Sequence, residues 1–182
     1  YASSEDRSEL LDLFLSARCH FFLSGSSGLA SVPMAFRRPR IMANLITLPN
    51  VRGTHKDIVL PKRLWHIRDR RFLTFDEMIE RWSFGFYKNY RENGIEVIDN
   101  SPEELKSATI EMHERLVGEW ESAEDDERLQ RLFKTQFMAK VEWVNKEALR
   151  NGQARPLGHA SIPWVISAAF LKDNADLLQP AD

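Results

Sequence analysis

The sequence predicts an α/β fold built on a parallel sheet with flanking helices. Three observations predict it. Residues 5–45 read helix, strand, glycine turn, helix, strand, which is a βαβ unit with right-handed crossovers. The chain has 182 residues, 43% apolar and 29% charged, which suits a folded domain with its own core rather than disorder. The second half carries apolar stripes at helical spacing, placing helices after the sheet.

In chain order, Ser3-Ser4-Glu5-Asp6 reads as a helix start with hydroxyl caps and early acids. Leu10, Leu11, Phe14 and Ala17 follow at helical spacing. Cys19 to Leu23 is a short, aromatic-rich apolar run, expected as a buried strand. His20 on it is expected to be a core histidine. Ser24-Gly25-Ser26-Ser27-Gly28 is a tight turn, Leu29–Phe36 a second short helix, and Arg40–Leu45 another strand. Residues 46–73, with Pro49, Gly53 and Pro61, read as a long irregular loop with one helical turn near Leu60–Trp65. Thr74 with Glu77 forms a capping box before a short helix, and Ile95–Asp99 alternates as a small strand. Ser101-Pro102-Glu103-Glu104 opens a helix whose buried stripe is Leu105, Ala108, Met112 and Leu116. From near Ala123, Leu129, Phe133, Phe137, Val141, Val144 and Ala148 mark a long helix stopped by Asn151-Gly152. A final apolar helix is expected from Ser161 to Leu171. The expected organisation is residues 1–122 as the sheet-bearing, Rossmann-like region and 123–182 as a helical extension of the same domain.

The formal charge of −2 gives no global attraction to nucleic acid. Locally, ten Lys or Arg between Arg37 and Arg71 face only Asp57 and Asp69, while acids dominate from Glu92 to Glu127, which suggests either a local anion site in the basic middle or two solvated faces that partly neutralise each other. Cys19 is the single cysteine, which favours a reducing compartment, and no apolar run approaches a membrane span. A cytoplasmic or membrane-peripheral location follows as the expectation. The chain opens Tyr-Ala-Ser-Ser without an initiator Met or a signal peptide, which reads as a cut. No His or Cys set has metal-ligand spacing, and no Asp-x-Asp occurs, so neither a metal nor another cofactor is expected.

The turn after the first strand carries the chemistry. Glycines let the backbone turn sharply and admit a ligand close to the main chain. The following helix start offers unpaired N–H groups, and Ser26 and Ser27 add hydroxyls, a combination suited to phosphate or diphosphate. The turn lacks the spacing and lysine of a P-loop and the Gly-x-Gly-x-x-Gly of dinucleotide folds.

The run Cys19–Leu29, followed by Pro33-Met34 and Arg38-Pro39, resembles the C-terminal half of a bacterial glycosyltransferase family. The same family shows a Leu60-Pro61-Lys62-like step, a Leu73-Thr74-Phe75-x-Glu77-Met78 helix, and Gly94-x-Glu96-Val97-Ile98-x-Asn100-x-Pro102-Glu103-Glu104. A Gly118-x-Trp120 step and a terminal Ala169-Phe170-Leu171 continue the order, which spans roughly Leu11 to Leu178. The resemblance implies the donor-binding half of a metal-independent GT-B enzyme, acting in surface polysaccharide assembly. It would transfer a sugar from a nucleoside-diphosphate sugar to a hydroxyl on a carbohydrate or glycolipid acceptor. The partner N-terminal domain of the same protein, and any base in it, would lie outside this chain.

On this reading Gly25, Ser26, Ser27 and Gly28 hold the donor diphosphate. Arg38, Asn44, Lys62 and Arg63 are further substrate-binding candidates, and no catalytic residue can be named. The alternative is a non-catalytic α/β binding or interaction module, in which the long amphipathic helix docks a partner.

Overall fold

The computed structural model describes residues 3–81, 87–154, 157 and 162–178. Its centre is a four-stranded parallel sheet in the order β1 (Phe22–Ser24), β2 (Arg40–Leu45), β3 (Ile58–Pro61), β7 (Val165–Ile166). Helices flank it, so the α/β class and the parallel sheet stand as the sequence predicts. A second sheet goes beyond that expectation: β5 (Arg71–Phe72), β4 (Arg63–His66) and β6 (Ile95–Ile98) pair antiparallel. Only Lys62 separates β3 from β4, so the chain passes from one sheet to the other without a loop.

The first crossover runs from β1 through a 3-10 turn (Gly28–Ala30) and α2 (Ser31–Ala35) to β2. Helix α1 (Glu9–Arg18) starts at Ser8, whose hydroxyl accepts from Leu11 N, and packs against α2. Half of its expected inner stripe is turned outward: Leu10 is 78% exposed and Phe14 57%, while Leu11 and Ala17 are half-buried and Ser16 is its buried residue. His20 is exposed as well, against the core placement expected of it, and its ring lies 6.2 Å from that of His113.

Residues 46–73 are not one irregular loop, because they contain β3, β4 and β5. Ile58, Val59 and Leu60 are fully buried between β2 and β7, as a central parallel strand requires, but three apolar residues between charges are too short a run to stand out. The helical turn expected at 60–65 is strand on both sides of Lys62. The final helix is likewise shorter than expected. β-branched Val165 and Ile166 pair with Ile58 and Val59, and α7 begins only at Ala168 and ends at Asp173. Ser161, the expected start of that helix, lies outside the described residues. The segment after residue 123 therefore contributes a strand as well as helices.

The remaining helices behave as their periodicity demands. α3 (Phe75–Glu80) has the Thr74–Glu77 capping box, and α4 (Tyr87–Glu92) precedes β6. α5 (Pro102–Val117) has the Ser101–Glu104 capping box and ends at Gly118, whose left-handed φ of 81° favours glycine. In α6 (Glu124–Arg150) all six residues of the expected stripe are buried. Phe133 meets Phe75 of α3 at 4.9 Å between ring centroids, and Phe133 and Phe137 both pack on Trp164. Gln130 of α6 turns inward at the outer edge of β7. Its Nε2 donates to Ile166 O, and its Oε1 accepts from Ile166 N. No helix among the described residues is long and apolar enough to cross a membrane.

Two acidic groups respond to the fold in opposite directions. Glu77 takes a bidentate contact from Arg71 at 2.7 and 2.8 Å and a third bond from Thr74 N, and the Arg71 hydrogen bonds draw its pKa down to about 2. Burial instead raises Glu111, although Ala168 N and Arg115 both donate to it. A lowered folded pKa means that the folded state binds fewer protons. Glu77 therefore stabilises above its ordinary 4.5, and this is lost as pH falls toward about 2. Glu77→Gln keeps the capping box but removes the charge, so the urea midpoint should fall less steeply across that acid window. The difference at neutral pH should be roughly 1–2 kcal/mol, since the half-open Arg71 leaves the pair partly screened. Equal acid slopes for the two proteins would refute this assignment.

Candidate functional site

An open pocket of about 580 Å³ lies over β2 toward its carboxyl end. One side is the turn that follows β1, with Gly25, Ser26 and Ser27 on the wall. α2 closes a second side with Ser31 and Met34, and the segment after β2, from Ile46 to Arg52, closes the third. Met42 and Asn44 of β2 form the floor, with Arg40 at its far end. This is where ligands sit in open α/β sheets, at the carboxyl ends of strands. Among the described residues the lining contains Arg40 and Arg52 and no carboxylate; Arg40 is paired with Asp57, so the net positive charge of the lining is that of Arg52.

The local sequence explains the shape. Ser24 pairs with Met42, so Gly25 follows β1 alongside Ala43, whose carbonyl oxygen stands 3.7 Å from where a Gly25 Cβ would be. The turn therefore lies close over the sheet. Ser24 Oγ, on the last residue of β1, is buried without a hydrogen-bond partner among the described residues. Gly28 begins the 3-10 turn, faces open space, and is outside the lining. α2 is only five residues long and starts from that 3-10 turn, so the helix-dipole contribution expected from the sequence is small. An anion held here would depend on the serine hydroxyls, the turn backbone and arginine.

Arg40 and Arg52 are different groups. Arg40 is buried, and its guanidinium donates to Asp57 at 2.9 Å, to Ala30 O at 3.1 Å and to Arg52 O at 2.7 Å. Asp57, fully buried, also accepts from Arg40 N and Thr54 N, so the pair braces the pocket wall and cancels its own charge. Arg52 is exposed and makes no ion pair with a described residue. Among the described residues of the lining it is the cation without an ion-pair partner. Among the basic residues of the loop nothing in the sequence singles it out, apart from its place before Gly53. There the backbone is pinned, because a Cβ on Gly53 would come within 3.0 Å of both Asp57 and Trp164.

Asn44 is the polar residue of the floor. Three steps along β2 from Met42 to Leu45 answer two steps along β3, so β2 carries one extra residue, a bulge. Asn44 sits in it with a left-handed φ of 57°, at a cost of order 1 kcal/mol for a non-glycine residue, least for Asn. Asn44 and Asn100 exchange two hydrogen bonds: Asn44 N donates to Asn100 Oδ1 at 2.7 Å, and Asn100 N donates to Asn44 Oδ1 at 2.8 Å.

The other candidates lie elsewhere. Arg38 Nε donates to Ala17 O at the end of α1, tying that helix down. Lys62 is buried and forms an ion pair with Asp99. Arg63 lies over the Phe72 ring at 5.4 Å and 3.6 Å from Glu104. Arg38, Lys62 and Arg63 do not line the pocket, and each holds secondary structure together. The structure thus gathers Gly25, Ser26, Ser27 and Asn44 of the expected set and adds Arg52. Among the described residues no group of His, Cys, Asp and Glu could hold a metal ion.

The fold and this pocket define the class: an α/β domain with a cationic, hydroxyl-lined cleft at the carboxyl end of a parallel sheet. Comparison with protein-family models, curated proteins and solved structures gives no match to this chain, so its chemistry is argued from the pocket itself.

Proposed function

We propose that the pocket binds the diphosphate of a nucleoside-diphosphate sugar, and that the chain is the donor-binding portion of a metal-independent GT-B-type glycosyltransferase. The observation that carries this reading is the Gly25-Ser26-Ser27 turn sharing a cleft with Arg52, which has no ion-pair partner among the described residues, and the described lining of that cleft has no carboxylate. In glycosyl transfer the bond from the anomeric carbon to the diphosphate oxygen breaks, and the electron pair leaves with the nucleoside diphosphate. Hydroxyl and N–H donors held in place by the fold, with a guanidinium opposite, stabilise that growing charge more than they stabilise the bound donor. The incoming nucleophile is an acceptor hydroxyl of a carbohydrate or glycolipid, brought to the pocket mouth by a facing domain, with assembly of surface polysaccharide as the setting. The proton of that hydroxyl needs a base. None of the described lining side chains is suited to that role, and on this reading the base belongs to the acceptor side.

Calorimetric titration with UDP, GDP, CDP, ADP, TDP and their sugars tests the reading. One nucleoside diphosphate should bind better than its monophosphate. Arg52→Ala should weaken it about ten- to a hundredfold, the range for a hydrogen bond to a charged group. Ser27→Glu should abolish binding by setting a carboxylate against the diphosphate. If no member of the panel binds, or if Arg52→Ala leaves the affinity unchanged, the reading is wrong.

A further inference from the structure

We propose that Asn100, which lies outside the pocket, is a positioning residue: it holds Asn44 so that the Asn44 carboxamide donates a hydrogen bond to an acceptor oxygen of the bound ligand. The inference rests on the nucleotide-sugar reading above and assigns a reading group to that site.

The two exchanged bonds settle which way both amides point. Asn100 N is a donor, so the Asn44 atom that meets it is Oδ1. Asn44 N is also a donor, so the Asn100 atom that meets it is Oδ1. Asn100 Nδ2 then donates to Pro61 O at 2.8 Å, at the end of β3. Asn100 is 8% exposed and is held by backbone groups of β2 and β3, while Ser101, the next residue, caps α5. Its orientation is therefore set by three fixed elements.

Asn44 ends differently. Its N and Oδ1 are consumed by Asn100, and its Nδ2 has no acceptor among the described residues, although the residue is half-buried and lines the pocket. A glycine would hold the left-handed bulge with less strain, and an aspartate would accept from Asn100 N equally well. What Asn44 adds over both is an N–H donor fixed at the pocket floor. By the register of β1 on β2 it lies beside the Gly25–Ser27 turn, within the part of the pocket assigned to the diphosphate and the groups attached to it. Its partner is an acceptor oxygen, on the diphosphate or on the nucleoside or sugar.

Titration of the full chain with pyrophosphate, with the nucleoside diphosphates and with their sugars, for wild type, Asn44→Gly, Asn100→Ala and the double variant, decides the matter. Asn44→Gly should weaken the preferred nucleotide about tenfold, equivalent to one hydrogen bond. If pyrophosphate weakens equally, the oxygen is on the diphosphate; if only the nucleoside diphosphates or their sugars weaken, it is on the nucleoside or sugar. Asn100→Ala should weaken binding by a similar factor in the wild-type background and not at all in the Asn44→Gly background, since Asn100 acts through Asn44. A loss of the same size in both backgrounds, or unchanged binding by Asn44→Gly, overturns the proposal. In that case sensitivity to Arg52→Ala would leave the nucleotide reading standing, whereas no nucleotide binding by wild type overturns both. A second readout does not depend on the Asn100 variant folding. The side-chain amide resonance of Asn44, assigned by its loss in Asn44→Gly, should shift on saturation with the nucleotide, and a resonance that stays in place overturns the proposal.

Discussion

Asp57→Ala is expected to cost about 3–5 kcal/mol of folding stability, the range for unpairing a buried charge. Asp57 is 0% exposed and Arg40 3%, and the guanidinium approaches to 2.9 Å. Four donors converge on the carboxylate: Arg40 N, Arg40 Nε, Arg40 Nη2 and Thr54 N. Without it the guanidinium keeps, among the described residues, the carbonyls of Ala30 and Arg52, and two backbone N–H groups lose their acceptor. Asp57→Asn should be nearly as damaging, because its Nδ2 would face donors. The urea midpoint measures both, with an unchanged m-value showing that stability and not compactness has moved. A loss below about 1 kcal/mol would mean that water reaches the pair and that it is not the brace described. The brace holds the carbonyl of Arg52, so variants that still fold should also bind nucleotide more weakly.

Trp164→Ala should cost a comparable amount, about 3–5 kcal/mol, as large-to-small changes of buried aromatic residues do. Trp164 is 1% exposed, and its ring packs on Phe133 at 6.1 Å and on Phe137 at 6.0 Å. Its Nε1 donates to Val51 O at 3.3 Å, so one side chain joins the long helix α6 to the segment that walls the pocket. The ring also fills the space that the absent Cβ of Gly53 leaves open. Trp164→Phe keeps most of the packing and loses the bond to Val51, so its cost should be intermediate. Thermal unfolding followed by circular dichroism compares the three proteins. If Trp164→Ala were no worse than Trp164→Phe, ring packing would not be the source of the stability.

Helices with full stripes and capping boxes are legible in the sequence alone. Leu129 to Ala148 on α6 and Ser101–Glu104 at α5 are local signals, written by period and by cap. The first βαβ unit is legible too, because a glycine turn separates two apolar runs, but its first strand is Phe22–Ser24 with Leu23 exposed and not the buried strand expected over Cys19–Leu23. What stays hidden depends on contacts distant in sequence. β7 is two residues long and is a strand only because β3 offers it an edge. β4 and β5 are half-buried, so no strong alternation marks them. At the pocket, the turn residues can be read from chain geometry, whereas Lys62 and Arg52 cannot be told apart. Both are basic residues of one stretch, and only the tertiary arrangement sends one to Asp99 and leaves the other without an ion-pair partner among the described residues. α1 departs from expectation for the converse reason: its helical period is real, but half of the face it marks does not meet the core.

The bond pair from Gln130 to Ile166 has a consequence for the protein in company. Val165 N and Ser167 N donate toward β3, so the N–H and C=O of Ile166 point away from the sheet, where another chain could pair with them. One carboxamide, projecting from a helix of 27 residues, supplies both the donor and the acceptor that an invading strand would bring. An open sheet edge is a common start for unwanted self-association, and natural proteins blunt it in many ways. Here the edge is closed by a side chain that imitates a peptide group.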